Sequence, residues 1–223
     1  GREAVGLYRG LAEVSPQAFR HELARSLSNL PALLSDVGER EKAVEVAGEA
    51  VGLYRGLAQT SPQAFRHELA RSINNLANRL SDVGKRDTAV EVASEAVGLY
   101  RGLAQASPQA FSHYLAGALS NLAALLSDVG KRDMAVEVAS EAVGLYRGLA
   151  QASPQAFSRY LAGASNNLAS FLSQVGDRWE AVEVAREAVG VYRGLAQASP
   201  QVFTPDLAQS LSNLAALLSD VGE

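Results

Sequence analysis

The chain has 223 residues with no Cys, one Met, one Trp, three His and a formal net charge of −4. The missing thiols exclude disulfide frameworks, thiolate zinc sites and cysteine nucleophiles; the acidic balance leaves little to neutralise nucleic-acid phosphates, and no apolar run reaches the length of a membrane span. Ala (39) and Leu (30) fill almost a third of the sequence, and with few β-branched residues besides Val this predicts helices.

The order within the chain is periodic. Tyr8, Tyr54, Tyr100, Tyr146 and Tyr192 are 46 residues apart, as are Pro16, Pro62, Pro108, Pro154 and Pro200, and Asn29, Asn75, Asn121, Asn167 and Asn213. Such a period marks a stack of supersecondary units. The sequence reads as a single repeat array over 1–223: a partial second helix at 1–15, units 16–61, 62–107, 108–153 and 154–199, and a partial unit 200–223. Each unit predicts two helices.

Residues 1–15 carry the end of a second helix. In unit 16–61, Pro31 sits mid-helix where other copies have Ala, which predicts a kink or a break. In unit 62–107, Arg79 replaces Leu or Phe beside the core stripe. Unit 108–153 shows the pattern most plainly: Leu115, Leu119, Leu122 and Leu126 form one helical face. Asp128-Val129-Gly130 ends that helix in a left-handed glycine, and a second helix is expected from about Arg132 to Gln151, with Ala135, Val138, Ala142, Leu145 and Leu149 inward. In unit 154–199, Ser165 takes a Leu or Ile position on the stripe. In the last copy, Thr204-Pro205-Asp206 gives a second cap signal five residues after Ser199-Pro200. An interior Pro costs about 3 kcal/mol, so each first helix is expected to start near 205 and its equivalents, with Ser-Pro-Gln-Ala-Phe as a connector anchored by an inward Phe. Gly-Leu-Tyr-Arg-Gly, as at Gly98–Gly102, is too polar for membrane pairing and predicts close helix approach between units, with the Tyr in the packing.

In the unit beginning at Leu119, residues Leu122, Ala123, Gly130, Ala135 and Ala142 stand at the spacing of the tetratricopeptide-repeat (TPR) signature. The chain resembles that family over nearly its whole length. It departs in period (46 against 34), in having Leu119, Leu126 and Ala139 at the usual aromatic positions, and in Arg147 for the terminal Pro. The longer units resemble the kinesin-light-chain-like class and bacterial TPR arrays fused to signalling ATPases or caspase-like proteases. The resemblance implies an all-α, right-handed TPR-like α-solenoid of antiparallel helix pairs, about ten helices, acting as a protein- or peptide-binding scaffold cut from a larger signalling or effector protein.

Units 62–107 and 108–153 differ at nine positions, eight of them in the connector or first helix. The varying residues share one face: His21, Arg25, Ser28, Ala32; His67, Arg71, Asn74, Asn78; His113, Gly117, Ser120, Ala124; Arg159, Gly163, Asn166, Ser170; Pro205, Gln209, Ser212, Ala216. In the family the first helices line the concave surface, and the last three of each set match its ligand contacts. Beside them runs the ladder Asn29, Asn75, Asn121, Asn167 and Asn213, whose amides either hold a peptide backbone or bond a neighbouring helix. Arg20, Arg25, Arg66, Arg71 and Arg79 make the first half the more basic, offset in part by Glu22 and Glu68, which suits an acidic ligand there.

His21, His67 and His113 lie one unit apart, roughly 10 Å, too far to share a metal. Glu pairs such as Glu91/Glu95 recur in every unit and read as a solvated face. No phosphate loop, nucleophile elbow or metal motif is present, so neither enzyme activity nor a cofactor is expected. A cytoplasmic setting is expected, although a chain starting inside a helix reports no targeting signal. The alternative is a self-assembly module: ends without capping helices predict head-to-tail stacking of residues 204–222 on residues 2–13 of another copy, running into oligomers or filaments.

Overall fold

The computed structural model describes residues 2–222, and every regular element among them is an α-helix. These are α1 (Arg2–Val14), α2 (Pro16–Asp36), α3 (Arg40–Thr60), α4 (Pro62–Asp82), α5 (Arg86–Ala106), α6 (Pro108–Asp128), α7 (Arg132–Ala152), α8 (Pro154–Val175), α9 (Arg178–Ala198) and α10 (Pro200–Val221). The fold is all-α and of the solenoid type, helices packed in series. Two compact units, Gly1–Ser107 and Pro108–Glu223, divide at a repeat boundary. Within the first, each helix from α1 to α5 packs on the next, and within the second each from α6 to α10 does so. None of the helices is long and apolar enough to cross a membrane.

The turn inside each repeat follows from glycine. Gly38, Gly84, Gly130 and Gly176 adopt φ of 83°, 78°, 79° and 94°, conformations costly for a residue with a Cβ. The chain then folds back so that Glu39 N donates to Leu34 O at 2.8 Å and Lys131 N to Leu126 O at 2.9 Å, satisfying carbonyls that the helix end leaves open.

Three expectations meet a different structure. The first helices begin at Pro16, Pro62, Pro108, Pro154 and Pro200 rather than five residues later. Proline fits a first helical position because its missing N–H has no partner there anyway, and Ser15 O already accepts from Ala18 N and Phe19 N at 3.2 Å. Pro205 lies inside α10 on an exposed turn. Water can take the carbonyl of Gln201 there, and Thr204 Oγ1 donates to Pro200 O at 2.7 Å. The phenylalanines Phe19 and Phe65 are half-buried and helical. Of the kink or break expected at Pro31, the break does not occur: α2 runs unbroken through this residue, which is buried. One lost backbone bond is outweighed where Leu27, Leu30 and Leu34 tie the flanking turns into the core.

The third concerns the paired glycines. A Cβ at Gly52, Gly56, Gly98, Gly102, Gly144, Gly148, Gly190 or Gly194 would meet nothing within 4 Å. These glycines therefore do not serve close helix approach. The close approach comes from alanine: Ala43, Ala47 and Ala50 in α3, and Ala135, Ala139 and Ala142 in α7, are buried at the 4-and-3 spacing that faces a partner helix. Tyr54 and Tyr146 are buried with them, as the sequence implied.

The first-helix stripe is buried as expected: Leu27, Ile73 and Leu119 at one position, and Leu122 and Leu126 further along. Ser165 holds that same position in α8 at 0% exposure, and its hydroxyl has no hydrogen-bond partner. Ser165→Ala removes this desolvated hydroxyl and improves helix propensity. It should raise stability by about 1–2 kcal/mol, read as a shift of the urea midpoint; a fall would show that the hydroxyl is bonded after all.

Candidate interaction face

The side on which the first helices lie is fixed by how closely they approach. In the first unit Ser28 Oγ and Ser72 Oγ are 3.1 Å apart across α2 and α4; in the second, Ser210 Oγ donates to Asn166 Oδ1 at 3.0 Å across α10 and α8. Ser72 and Ser210 are buried, small residues at the seam where first helices meet. Second helices stand further apart and are joined by long side chains. Arg55 Nη2 donates to Glu95 Oε1 at 2.8 Å across α3 and α5, Arg9 Nη2 to Glu49 Oε2 at 2.7 Å across α1 and α3, and Arg147 Nη2 to Glu187 Oε2 at 2.8 Å across α7 and α9. Within each unit the first helices therefore approach one another more closely than the second helices do, and the face they present is termed the inner face.

These Arg–Glu bridges went unseen in the sequence, where the glutamates read as a solvated face. Their signal was there, an Arg and a Glu recurring 40 residues apart in successive units. Each pair is about half-exposed and worth little alone; together they set the register of the second helices.

In the first unit the inner face is charged and partly paired within itself. Arg25 pairs with Glu22 in the same turn of α2, Arg71 Nη2 donates to Glu68 Oε2 at 2.5 Å in α4, and Arg79 bonds Ser35 Oγ at 2.7 Å and Asp82 at 2.9 Å. Arg79, foreseen as a blemish beside the core, thus ties α4 to α2. His21 packs edge-on to Phe65, ring centroids 5.1 Å apart, a packing role. Asn29 is exposed and Asn75 half-buried, and neither has a hydrogen-bond partner among the described residues. Asn78 is half-buried nearby, while Asn74 takes part in an interaction of its own.

In the second unit the same face is nearly uncharged. Gly117 and Gly163 stand where Arg25 and Arg71 stand in the first, and a Cβ on them would come within 3.5 Å of Tyr146 Oη and 3.6 Å of Tyr192 Oη respectively. The tyrosine hydroxyls of the second helices therefore reach the inner face through glycine gaps. Burial and the neighbouring Tyr160 push the Tyr146 hydroxyl up to about 12. Burial and Asp206 raise that of Tyr192, with Arg159 opposing. Both stay protonated donors at neutral pH. Burial among aromatic rings lowers the His113 imidazole, holding it neutral. Asn167 is exposed without a hydrogen-bond partner among the described residues. Asn121 is already engaged, and Asn213 Oδ1 accepts from Gln209 Nε2 at 2.9 Å. Asn166 spends its carbonyl on Ser210, and Ser120 Oγ on the Ala116 carbonyl at 2.9 Å. Asn166 is thus a seam residue, and the ladder amides without partners among the described residues are Asn29, Asn75 and Asn167.

The family profile described as "Tetratricopeptide repeat" matches residues 69–104. The profile described as "Anaphase-promoting complex subunit 5" matches 7–65, 87–157 and 149–199; it meets the periodic sequence three times with overlap, so the likeness is to the repeat. No curated protein matches by sequence. Among solved structures, BtubC (BKLC) from P. vanneervenii superposes with a TM-score of 0.76 at 21% identity, over 99% of this chain and 81% of that one. A putative kinesin light chain of Podosopora anserina with nearly identical TPR-like repeats gives 0.59 at 19% identity, over 89% and 96%. MamA gives 0.59 at 18% identity, over 86% and 89%. At such identities the likeness is one of fold.

Proposed function

Because this chain belongs to the tetratricopeptide-repeat family, we propose that it is a protein- or peptide-binding scaffold whose ligand lies along the inner face of the first helices, and we assign it no catalytic role. The observation that carries this is the pair of unpartnered amides at Asn29 and Asn75 in the first unit, with Asn167 likewise unpartnered in the second. Neighbouring helix pairs stand about 10 Å apart, close to three residues of extended chain at about 3.3 Å each. Asn29 and Asn75, one repeat apart in the first unit, can then each bond one residue of the peptide, donating to its carbonyl and accepting from its N–H.

The test begins with a peptide array to select a ligand, then titration calorimetry with the Asn29→Ala, Asn75→Ala, Asn167→Ala triple variant. At about 0.5–1.5 kcal/mol for each hydrogen bond, affinity should fall by at least tenfold while the melting temperature holds. Retained affinity would refute the ladder. The finer proposal, an acidic ligand in the first unit, requires its carboxylates to displace Glu22 and Glu68 from Arg25 and Arg71. An Arg25→Ala, Arg71→Ala variant should bind more weakly and with less salt dependence; unchanged values would remove it.

A second reading, self-assembly, is favoured by the apolar faces of α1 and α10. Leu7 and Leu11 are exposed, as is Leu211, with Leu207 and Leu214 half-covered. In light scattering this reading requires a mass that rises with concentration and is returned to the monomer value by Leu211→Glu. A constant mass would rule it out.

A further inference from the structure

The geometry points to a receptor for a tyrosine side chain of the ligand in the second unit, at the cleft between Tyr146, Tyr160, Gly163, Tyr192, Arg159 and Asp206. This rests on the peptide-binding reading and names one residue of the bound peptide. The cleft encloses about 280 Å³, room for one phenol ring. Glycine helps make it: Gly163 stands where the first unit has Arg71, and even a Cβ there would lie 3.6 Å from the Tyr192 hydroxyl. One wall is the Tyr146–Tyr160 stack, centroids 5.8 Å apart and planes 13° from parallel, which a further flat ring extends.

The polar end of the cleft decides which ring. Asp206 and Arg159 both act on the Tyr192 hydroxyl, in opposite directions. Arg159 rests over the Tyr160 ring at 5.2 Å, and neither charge has an ion-pair partner among the described residues. A phenol hydroxyl answers both, donating to the Asp206 carboxylate and accepting from the Arg159 guanidinium. Phenylalanine leaves both unanswered. Lysine would pair with Asp206 but face the like charge of Arg159, and a carboxylate or a phosphotyrosine would pair with Arg159 but face that of Asp206, whereas the phenol serves both at once.

The experiment uses N-acetyl-tyrosinamide titrated into the isotope-labelled chain and followed by NMR. Shifts should centre on the amides of Gly163 and Tyr192, with affinity about tenfold above that for N-acetyl-phenylalaninamide. Gly163→Arg, which installs the residue already carried at this position in α4, should weaken the tyrosine probe at least tenfold with an unchanged circular dichroism spectrum. Asp206→Asn should narrow the preference over phenylalanine. Equal affinity for the two probes, or binding indifferent to Gly163→Arg, overturns the assignment. A peptide that depends on Asn75 and Asn167 but ignores Gly163→Arg would sink the cleft and leave the scaffold standing. Tyrosine binding here, with no peptide sensitive to the ladder, would do the reverse.

Discussion

Replacing Gly52, Gly56, Gly98 and Gly102 together by Ala raises the stability of the chain by about 2–4 kcal/mol. Each glycine sits inside a helix, where it costs about 0.5–1 kcal/mol relative to Ala through the freedom it loses on folding. None gains anything in return from packing, since a Cβ at any of the four meets open space. The effects of the α3 pair and the α5 pair should add, since no added Cβ meets a neighbour within 4 Å. The control is Gly130→Ala. Its φ of 79° suits glycine and strains any other residue, so the same substitution there lowers stability by about 1 kcal/mol or more. Urea midpoints measure both. A fall in the four-site variant would mean that α3 and α5 approach a neighbour at these glycines.

Leu119→Ala lowers stability by about 2–5 kcal/mol, whereas Leu211→Ala, at the same place in the repeat, lowers it by less than about 1 kcal/mol. The chemistry removed is identical; what differs is cover. Leu119 is 0% exposed within α6, packed in the second unit, whereas Leu211 on α10 is 41% exposed. Removing the first takes away its transfer free energy and leaves a cavity; removing the second returns to water what water already partly touches. Denaturation of the two variants side by side checks the ratio, and equal losses would show that the face of α10 is covered in solution.

How far the sequence could be read depended on whether a residue's partner lay inside the repeat. The helix pair, the Gly130 turn, the buried stripe from Leu115 to Leu126 and the small Ala135 and Ala142 were all legible, because each is a local periodicity or a backbone requirement. Helix starts were misjudged because Pro205 was weighed as an interior proline, when its exposed turn lets water take the freed carbonyl. Gly98 and Gly102 were misjudged for a related reason. Two glycines four apart state that a side chain is missing, and whether another helix fills the space is decided by tertiary structure. On the inner face, the sequence located the residues but not their obligations. Nothing local distinguishes Asn166, bonded to Ser210 across the seam, from Asn167 beside it, which is unpartnered; one step around a helix separates them. Arg25 and Arg71 were legible as charge, and their pairing with Glu22 and Glu68 was legible as i,i+3 spacing. The reach of Tyr146 and Tyr192 through Gly117 and Gly163 was not, since it joins two helices.

The central claim is that ligand binding occurs on the first helices through the Asn amides. It is tested most directly by following the side-chain NH₂ resonances of Asn29, Asn75 and Asn167 by NMR while an array-selected peptide is titrated in. The ladder requires these resonances to shift in proportion to occupancy, with the exposed Gly52, Gly98 and Gly144 amides of the second helices unmoved. Saturating peptide that shifts the second-helix glycines and leaves the three amides in place would contradict it.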